Sequence, residues 1–545
     1  MAARKSRGVD YIVVGAGSAG CVVASRLSED RDVSVLLLEA GGRDSHPYLR
    51  MPLAFLRAAF DPRFNWGYVT EPEPHLGGRR IPLPRGKVLG GSSSINGMFY
   101  MRGHPRDYDL WRQMGCTGWG YADLLPYFKR SEASWRGAGA YHGGEGPLAV
   151  NAIDTSRLLH EPLMAAAAGA GYTTSADING AQAEGFARGE VTIDRHGRRA
   201  STARAYLRPA LARTNLAVEQ HALTTRIVIA GGRAGAVEYR RNGQLHRVAA
   251  EREIILCGGT YNSPQLLLLS GIGPADELRG HGIAPALDLP GVGRNLSEHP
   301  SVLLEFAAAH PVTFLNELRL DRAMLSVLRW AVAGSGAFAS QINSCNVVIR
   351  TAPGLERPDI QLLCNPIRMD AQLWFPGLRA AKEHRFDIRV VGLHPESRGV
   401  LALRSADPAD PPRITLNLFA AERDLATMRR GLRAARAIYR TEPQARLTAR
   451  ETAPGADIVS DADLDAYIRR VGGTCQHPVG TCAMGSGPDS VVDPELRVRG
   501  LAGLRVADAS IMQALPGGNT NAPAIMIGEK AADLILGRRL APAEL

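Results

Sequence analysis

The strongest constraint on this chain lies in its first forty residues. Residues 9–14 (Val-Asp-Tyr-Ile-Val-Val) are rich in β-branched and aromatic side chains and read as a buried parallel strand. They run into Gly15-Ala-Gly17-Ser-Ala-Gly20, a helical stretch Cys21–Leu27, a second strand Val33–Leu38, and then Glu39. Strand, G-x-G-x-x-G, helix, strand and an acid roughly twenty residues on make the βαβ unit that binds dinucleotides. Gly15 permits the tight turn, Gly17 lets backbone approach a pyrophosphate, and Gly20 allows close packing of helix on strand. The helix N-terminus, with Ser18 and Ala19 in its turn, presents unpaired N–H groups to phosphate. Glu39 is placed to accept hydrogen bonds from an adenosine ribose. By itself the motif leaves FAD and NAD open. No second fingerprint in strand–turn–helix context follows, since Gly291-Val-Gly293 lacks the third glycine, which argues against a reductase holding both a flavin and a nicotinamide.

At 545 residues the chain exceeds what one hydrophobic core organises, so two domains are expected. The net charge of +10 is mostly arginine, scattered in pairs such as Arg79-Arg80, Arg240-Arg241 and Arg429-Arg430. Without clustering on one face or interleaved aromatics, this reads as a solvated basic surface and not a nucleic-acid site. The cysteines (Cys21, Cys116, Cys257, Cys345, Cys364, Cys475 and Cys482) are odd in number and form no C-x-x-C. Free thiols in a reducing compartment are expected, and no metal site. Arg4, Lys5 and Arg7 before an apolar run imitate a secretory leader, but that run leads straight into the glycines. No apolar stretch reaches the roughly eighteen residues of a membrane span, and the expected location is cytoplasmic.

Residues 85–99 (Arg-Gly-Lys-Val-Leu-Gly-Gly-Ser-Ser-Ser-Ile-Asn-Gly-Met-Phe) could lie flat against a ligand and offer backbone N–H groups. From here the chain resembles the glucose–methanol–choline (GMC) oxidoreductase family. The first family signature matches Gly86-Lys-Val-Leu-Gly-Gly-Ser-Ser93 with Asn96, continuing into Tyr100-Met-Arg-Gly-His104. The second matches Gly259 to Gly273 without a gap. The C-terminal pattern matches His477-Pro-Val-Gly-Thr481, Leu504 to Ser510, and Gly518-Asn-Thr-Asn521-Ala-Pro523. These elements run in family order from about residue 10 to 535.

The resemblance implies FAD. Carried over by position, Gly15, Gly17, Ser18, Ala19 and Gly20 belong to the pyrophosphate turn and Glu39 to the ribose. Arg85, Val88, Gly91, Ser92, Asn96, Gly97 and Met98 would line the flavin. Thr224, just before a strand at Arg226–Ala230, would contact the adenine. Asp508 and Ala509 would be C-terminal contacts, and Asn521, Ala522 and Pro523 would lie beside the ring. Some choline-oxidising relatives attach FAD through a histidine preceding the Asn96 position; Ile95 stands there, so noncovalent FAD is expected.

The implied fold is α/β (α+β overall). A doubly wound FAD-binding domain would comprise 1–154, 196–299 and 471–545. A substrate domain of 155–195 and 300–470 would be built on an antiparallel sheet roofing the flavin. Val390–Leu393, Val400–Leu403 and Ile414–Leu416 read as strands of that sheet, and 421–440 as a helix.

Oxidising an alcohol requires loss of the hydroxyl proton and transfer of the α-hydrogen as hydride to flavin N5. Histidine suits the base role because it titrates near neutrality. His477 fits the family's base position and Asn521 its partner, which would hydrogen-bond the alcohol oxygen; a shift of register would exchange Asn521 for Asn519. His104 and His299 read as structural. Trp66 reads either as a pocket wall or as loop packing. Gln476 stands where choline-using relatives often carry an aromatic, which weakens a cage for quaternary ammonium. The expected partners are a small alcohol and either oxygen or a quinone-type electron acceptor. A lyase or light-driven decarboxylase on the same fold is the alternative.

Overall fold

The computed structural model describes residues 8–544; the basic residues Arg4, Lys5 and Arg7 lie outside them. Two seven-stranded sheets organise the molecule. In the first, the strands Val9–Val14, Val35–Leu38 and Leu216–Glu219 pair in parallel, and Val9–Val14 also pairs in parallel with the end of Gln244–Leu256. Leu504–Val506 closes the other side of that end. The first half of Gln244–Leu256 instead joins Leu223–Ala230 and Arg233–Arg241 as an antiparallel extension. The strand interiors are almost fully buried, as continuous Val, Ile and Leu runs require when a sheet is covered on both faces.

Two helices pack against the glycine-rich turn: Gly20–Leu27 and the C-terminal Asn521–Ile535. Their close approach depends on glycine. A Cβ at Gly528 would lie 2.8 Å from the Ala19 carbonyl oxygen, and one at Gly20 would lie 1.9 Å from that of Gly15. The C-terminal helix is also clamped at Glu529, whose fully buried carboxylate accepts from Arg26 and Tyr206 and pairs with Arg130, which also donates to the Glu529 carbonyl.

The second sheet is antiparallel throughout and assembles Thr448–Ala453, Pro300–Ala308, Arg385–Gly392, Ile360–Asn365, Asn346–Ile349 and Gly185–Ala187 in that order, with Gly473–Thr474 as the seventh strand beside Pro300–Ala308. Its two faces differ chemically. Phe386, Ile388 and Val390 are buried on the side of the helix Glu422–Tyr439, while Asp387 and Arg389 point the other way, because successive side chains alternate across a strand. The expected strands at 400–403 and 414–416 form, as Val400–Ala402 and Arg413–Thr415. They pair only with each other and do not join the roof. Periodicity gave the strands but not their partners.

The Tyr100–His104 stretch carries a buried ion cluster. Arg102 pairs with Glu132, and His142 bridges Glu132 (2.8 Å) and Asp177 (2.7 Å) while only 6% exposed. Burial opposes charge on His142, but hydrogen bonds to Asp177 and Glu132 prevail and raise it to about 9. A histidine raised in the folded state stabilises fully below its unfolded pKa, near 6.5, and loses that contribution as pH rises through the folded value. His142→Gln is therefore expected to cost roughly 3 kcal/mol at pH 6 and progressively less toward pH 9.5. Thermal melts of the wild type and the variant across that range test this. A gap between them that does not shrink with pH contradicts it.

Candidate active site

A cavity of about 760 Å³ is lined by parts of both sheets and the loops between them. The nucleotide sheet contributes Gly15, Gly17, Ser18, Ala19 and Glu39; the 85–98 loop contributes Arg85, Gly91, Ser92, Asn96, Gly97 and Met98. Gly15 takes φ +98°, as a tight turn demands. A side chain on Gly17 would meet no protein atom closer than 3.8 Å, and Gly91, at φ +51°, backs that turn so closely that its own Cβ would sit 2.7 Å from Gly17 Cα. The turn is thus shaped to bring backbone against a ligand. Thr224 Oγ1 is buried here without a partner. A glycine cradle plus an orphaned hydroxyl fits a bound dinucleotide.

Glu39, 5% exposed, accepts hydrogen bonds from the backbone N–H of Ala16 (2.9 Å) and of Gly41 (2.8 Å). Burial pushes its carboxyl up to about 7 against the pull of those N–H groups. Each oxygen keeps an acceptor site for a ribose hydroxyl. Glu39→Ala is expected to weaken FAD retention with little change in chemistry once FAD is saturating. Flavin fluorescence released on dilution measures this, and unchanged affinity contradicts the ribose role.

The reactive end is a chain of neutral hydrogen bonds. His299 Nε2 lies 2.9 Å from the Leu393 carbonyl, an acceptor only, so that nitrogen carries the proton. His299 Nδ1 then has a lone pair, and it lies 3.0 Å from His477 Nδ1, which must donate. The remaining nitrogen of His477, Nε2, is left bare and accepts from Asn519 Nδ2 at 3.0 Å. Gln361 Nε2 donates in turn to Asn519 Oδ1 (3.2 Å), holding the carboxamide in that orientation. Burial, with Arg85 in support, lowers His477 to about 3, and burial holds His299 well below its usual value. Both rings stay neutral, and the bare acceptor is Nε2.

Local backbone fixes this geometry. Gln476 adopts φ +67°, uncommon outside glycine. Arg85 holds it by hydrogen bonds to its carbonyl (2.9 Å) and its Oε1 (2.8 Å). Glu298 accepts from the N–H groups of His477 (2.6 Å) and His299 (2.9 Å), so one carboxylate anchors both histidine backbones. Thr260 donates to the Pro478 carbonyl and Thr481 to that of Thr260, tying the His477 loop to the helix Gly259–Leu269.

Several expectations are corrected. The carboxamide beside His477 belongs to Asn519, not Asn521. Asn521 is the first residue of the C-terminal helix, and its Oδ1 accepts from Ser18 Oγ at 2.9 Å, at the pyrophosphate turn. His299 is not merely structural, since it fixes the His477 tautomer; His104 instead caps the helix Pro105–Gln113. Val88 packs with Leu49, Phe64 and Ile95, and Ala522 and Pro523 are buried in the helix; none of the three lines the cavity. Thr224 lies inside the strand Leu223–Ala230 and not before it. Asp508 and Ala509 line the cavity, though the Asp508 carboxylate is engaged by Gly259, Ser263 and Ser510. Trp66 lines the cavity and also stacks on Tyr68 (5.7 Å), with the Lys87 ammonium 4.7 Å from its ring. Motif reading missed Glu298, in the loop before the strand Pro300–Ala308, and Gln361 and Arg389, which are placed by strand register.

The structure thus joins a dinucleotide turn and a neutral histidine–carboxamide pair in one cavity. The N-terminal GMC oxidoreductase domain matches residues 9–301 and the C-terminal one residues 395–528; the chain belongs to the GMC oxidoreductase family. It is 43% identical to the oxygen-dependent choline dehydrogenase of Rhizobium johnstonii, over 97% of this chain and 96% of that protein. It is also 43% identical to the mitochondrial choline dehydrogenase of Homo sapiens, over 97% and 90%. Among solved structures, pyridoxine 4-oxidase from Mesorbium loti superposes with a TM-score of 0.87 at 31% identity, covering 98% of this chain and 100% of that one. Formate oxidase of Aspergillus oryzae superposes at 0.90 with 27% identity, covering 98% and 99%.

Proposed function

We propose that this protein is an FAD-dependent oxidoreductase that converts an alcohol to an aldehyde or ketone. The observation that carries the reading is the bare Nε2 of His477 facing the Asn519 amide in a cavity shared with the dinucleotide turn. Bound FAD supplies the acceptor for the hydride. An alcohol oxygen entering between His477 and Asn519 would donate its proton to Nε2 and accept from Nδ2. Burial keeps the His477 imidazole neutral, and an alcohol is too weak an acid for an imidazole to ionise in the ground state. It takes the proton as charge develops on oxygen and the C–H bond breaks. Asn519 Nδ2 stabilises that charge where it forms, and His299 keeps the accepting nitrogen free.

The cofactor is held without a covalent bond: Ile95, before Asn96, is a buried hydrocarbon with no nucleophile. Electrons leave to oxygen or to a quinone-type acceptor. Anaerobic addition of alcohols to the yellow holoprotein tests the reading. Loss of flavin absorbance with carbonyl product supports it, and a flavin that no alcohol reduces contradicts it. Readmitting oxygen or a quinone identifies the acceptor.

A further inference from the structure

The roof of the cavity carries a cation that the chemistry at His477 does not use. Arg389 projects from the strand Arg385–Gly392 on the same face as Leu363 and Asn365 of the neighbouring strand, and all three line the cavity. Its Nη1 donates to Ser301 Oγ at 3.1 Å. Among the described residues, no other hydrogen bond satisfies its guanidinium, and no carboxylate lies within 4.0 Å of it. Asp387, on the same face, is engaged by the Met369 N–H, and Glu305 pairs with Arg385. Burial raises Asp387 to about 7, so it is partly neutral at physiological pH. A guanidinium without a counter-ion on the wall of the cavity is a site for an anion.

The position suits a substrate anchor. Arg389 pairs with Leu363 across the sheet, which places it diagonal to Gln361, the residue that touches Asn519. Diagonal neighbours in a sheet lie about 7–8 Å apart, and the guanidinium itself reaches toward Ser301 on the strand Pro300–Ala308. It also acts on the thiol of Cys475, two residues before His477: burial pushes Cys475 up to about 12, with the Arg389 charge opposing. The surroundings do not favour a cationic substrate. Trp66, an aromatic that could cage an ammonium, already stacks on Tyr68 and has Lys87 over its ring.

We infer that Arg389 binds an anionic group on the substrate, so that the alcohol oxidised here is a short hydroxy-carboxylate or a similar anion rather than choline or another quaternary ammonium alcohol. This rests on the alcohol-oxidising reading above. The product would be the corresponding oxo-acid, with the anion untouched by the two-electron step.

The test compares anaerobic flavin reduction of the holoprotein by ω-hydroxybutanoate, n-butanol and choline, beside Arg389→Gln and Arg389→Lys with FAD content checked. The wild type should favour hydroxybutanoate over butanol by about 10–100-fold in second-order rate, the worth of a charge-assisted hydrogen bond. Arg389→Gln should erase that preference while leaving butanol nearly unchanged, and Arg389→Lys should restore part of it. In parallel, acetate titrated into the oxidised protein should perturb the flavin spectrum, with a dissociation constant raised about tenfold or more in Arg389→Gln. A wild type that prefers choline, or an Arg389→Gln variant that keeps the preference for hydroxybutanoate, overturns the inference while alcohol oxidation stands. Arg389-dependent acetate binding with no reduction by any of the three alcohols upholds the anion site and sinks the alcohol-oxidising reading. Neither reduction nor acetate binding overturns both.

Discussion

Replacing His477 with alanine is expected to leave FAD bound and to slow flavin reduction by about 10²–10⁴-fold, equivalent to roughly 3–5 kcal/mol of barrier. The size follows from the geometry. His477 Nδ1 is committed to His299, which leaves Nε2 as the basic nitrogen of the pair, held only by a neutral amide donor that an alcohol can displace. Its loss leaves the hydroxyl proton with nowhere to go as the C–H bond breaks. Cofactor contacts should survive, because the backbone around residue 477 is held by Glu298 and Arg85 and not by the imidazole. Stopped-flow reduction by the best substrate, with flavin content measured first, gives the answer. Reduction at the wild-type rate would remove the imidazole from the mechanism.

The second large effect separates two asparagines two residues apart. Asn519→Ala should lower the reduction rate by about 10²–10³-fold, as expected when one donor to a developing oxyanion is deleted. Asn521→Ala should reduce at close to the wild-type rate when FAD is saturating, yet hold FAD less tightly, because its carboxamide meets Ser18 at the glycine turn. Measuring reduction rate and FAD dissociation for both variants sets them apart. The opposite pattern would return the partner role to Asn521.

That pair also shows what sequence can and cannot reveal. The nucleotide-binding half was legible because backbone geometry dictates residue type: Gly15 must take positive φ, and Gly20 and Gly528 must let helices close on the turn. His477 was legible through its motif. Which asparagine faces it was not, because that depends on where a helix starts. Helical winding begins at Asn521 and turns that side chain back toward Ser18, leaving Asn519 outside the helix to face the imidazole. The roof was the least legible part. Gln361 and Arg389 gain their meaning from the register between Ile360–Asn365 and Arg385–Gly392, and no local pattern announces a cross-strand partner. His299 was visible as a residue but not as a role, since its influence passes through a nitrogen of another ring.

The central claim is that one substrate carbon loses its hydrogen to the cofactor while His477 takes the hydroxyl proton. Anaerobic single-turnover mixing of the holoprotein with an alcohol and with the same alcohol deuterated at its carbinol carbon tests this most directly. The account predicts that flavin absorbance disappears with one carbonyl product per flavin, and more slowly for the deuterated alcohol. Product formed while the flavin stays oxidised, as a lyase or a decarboxylase would give, would contradict it.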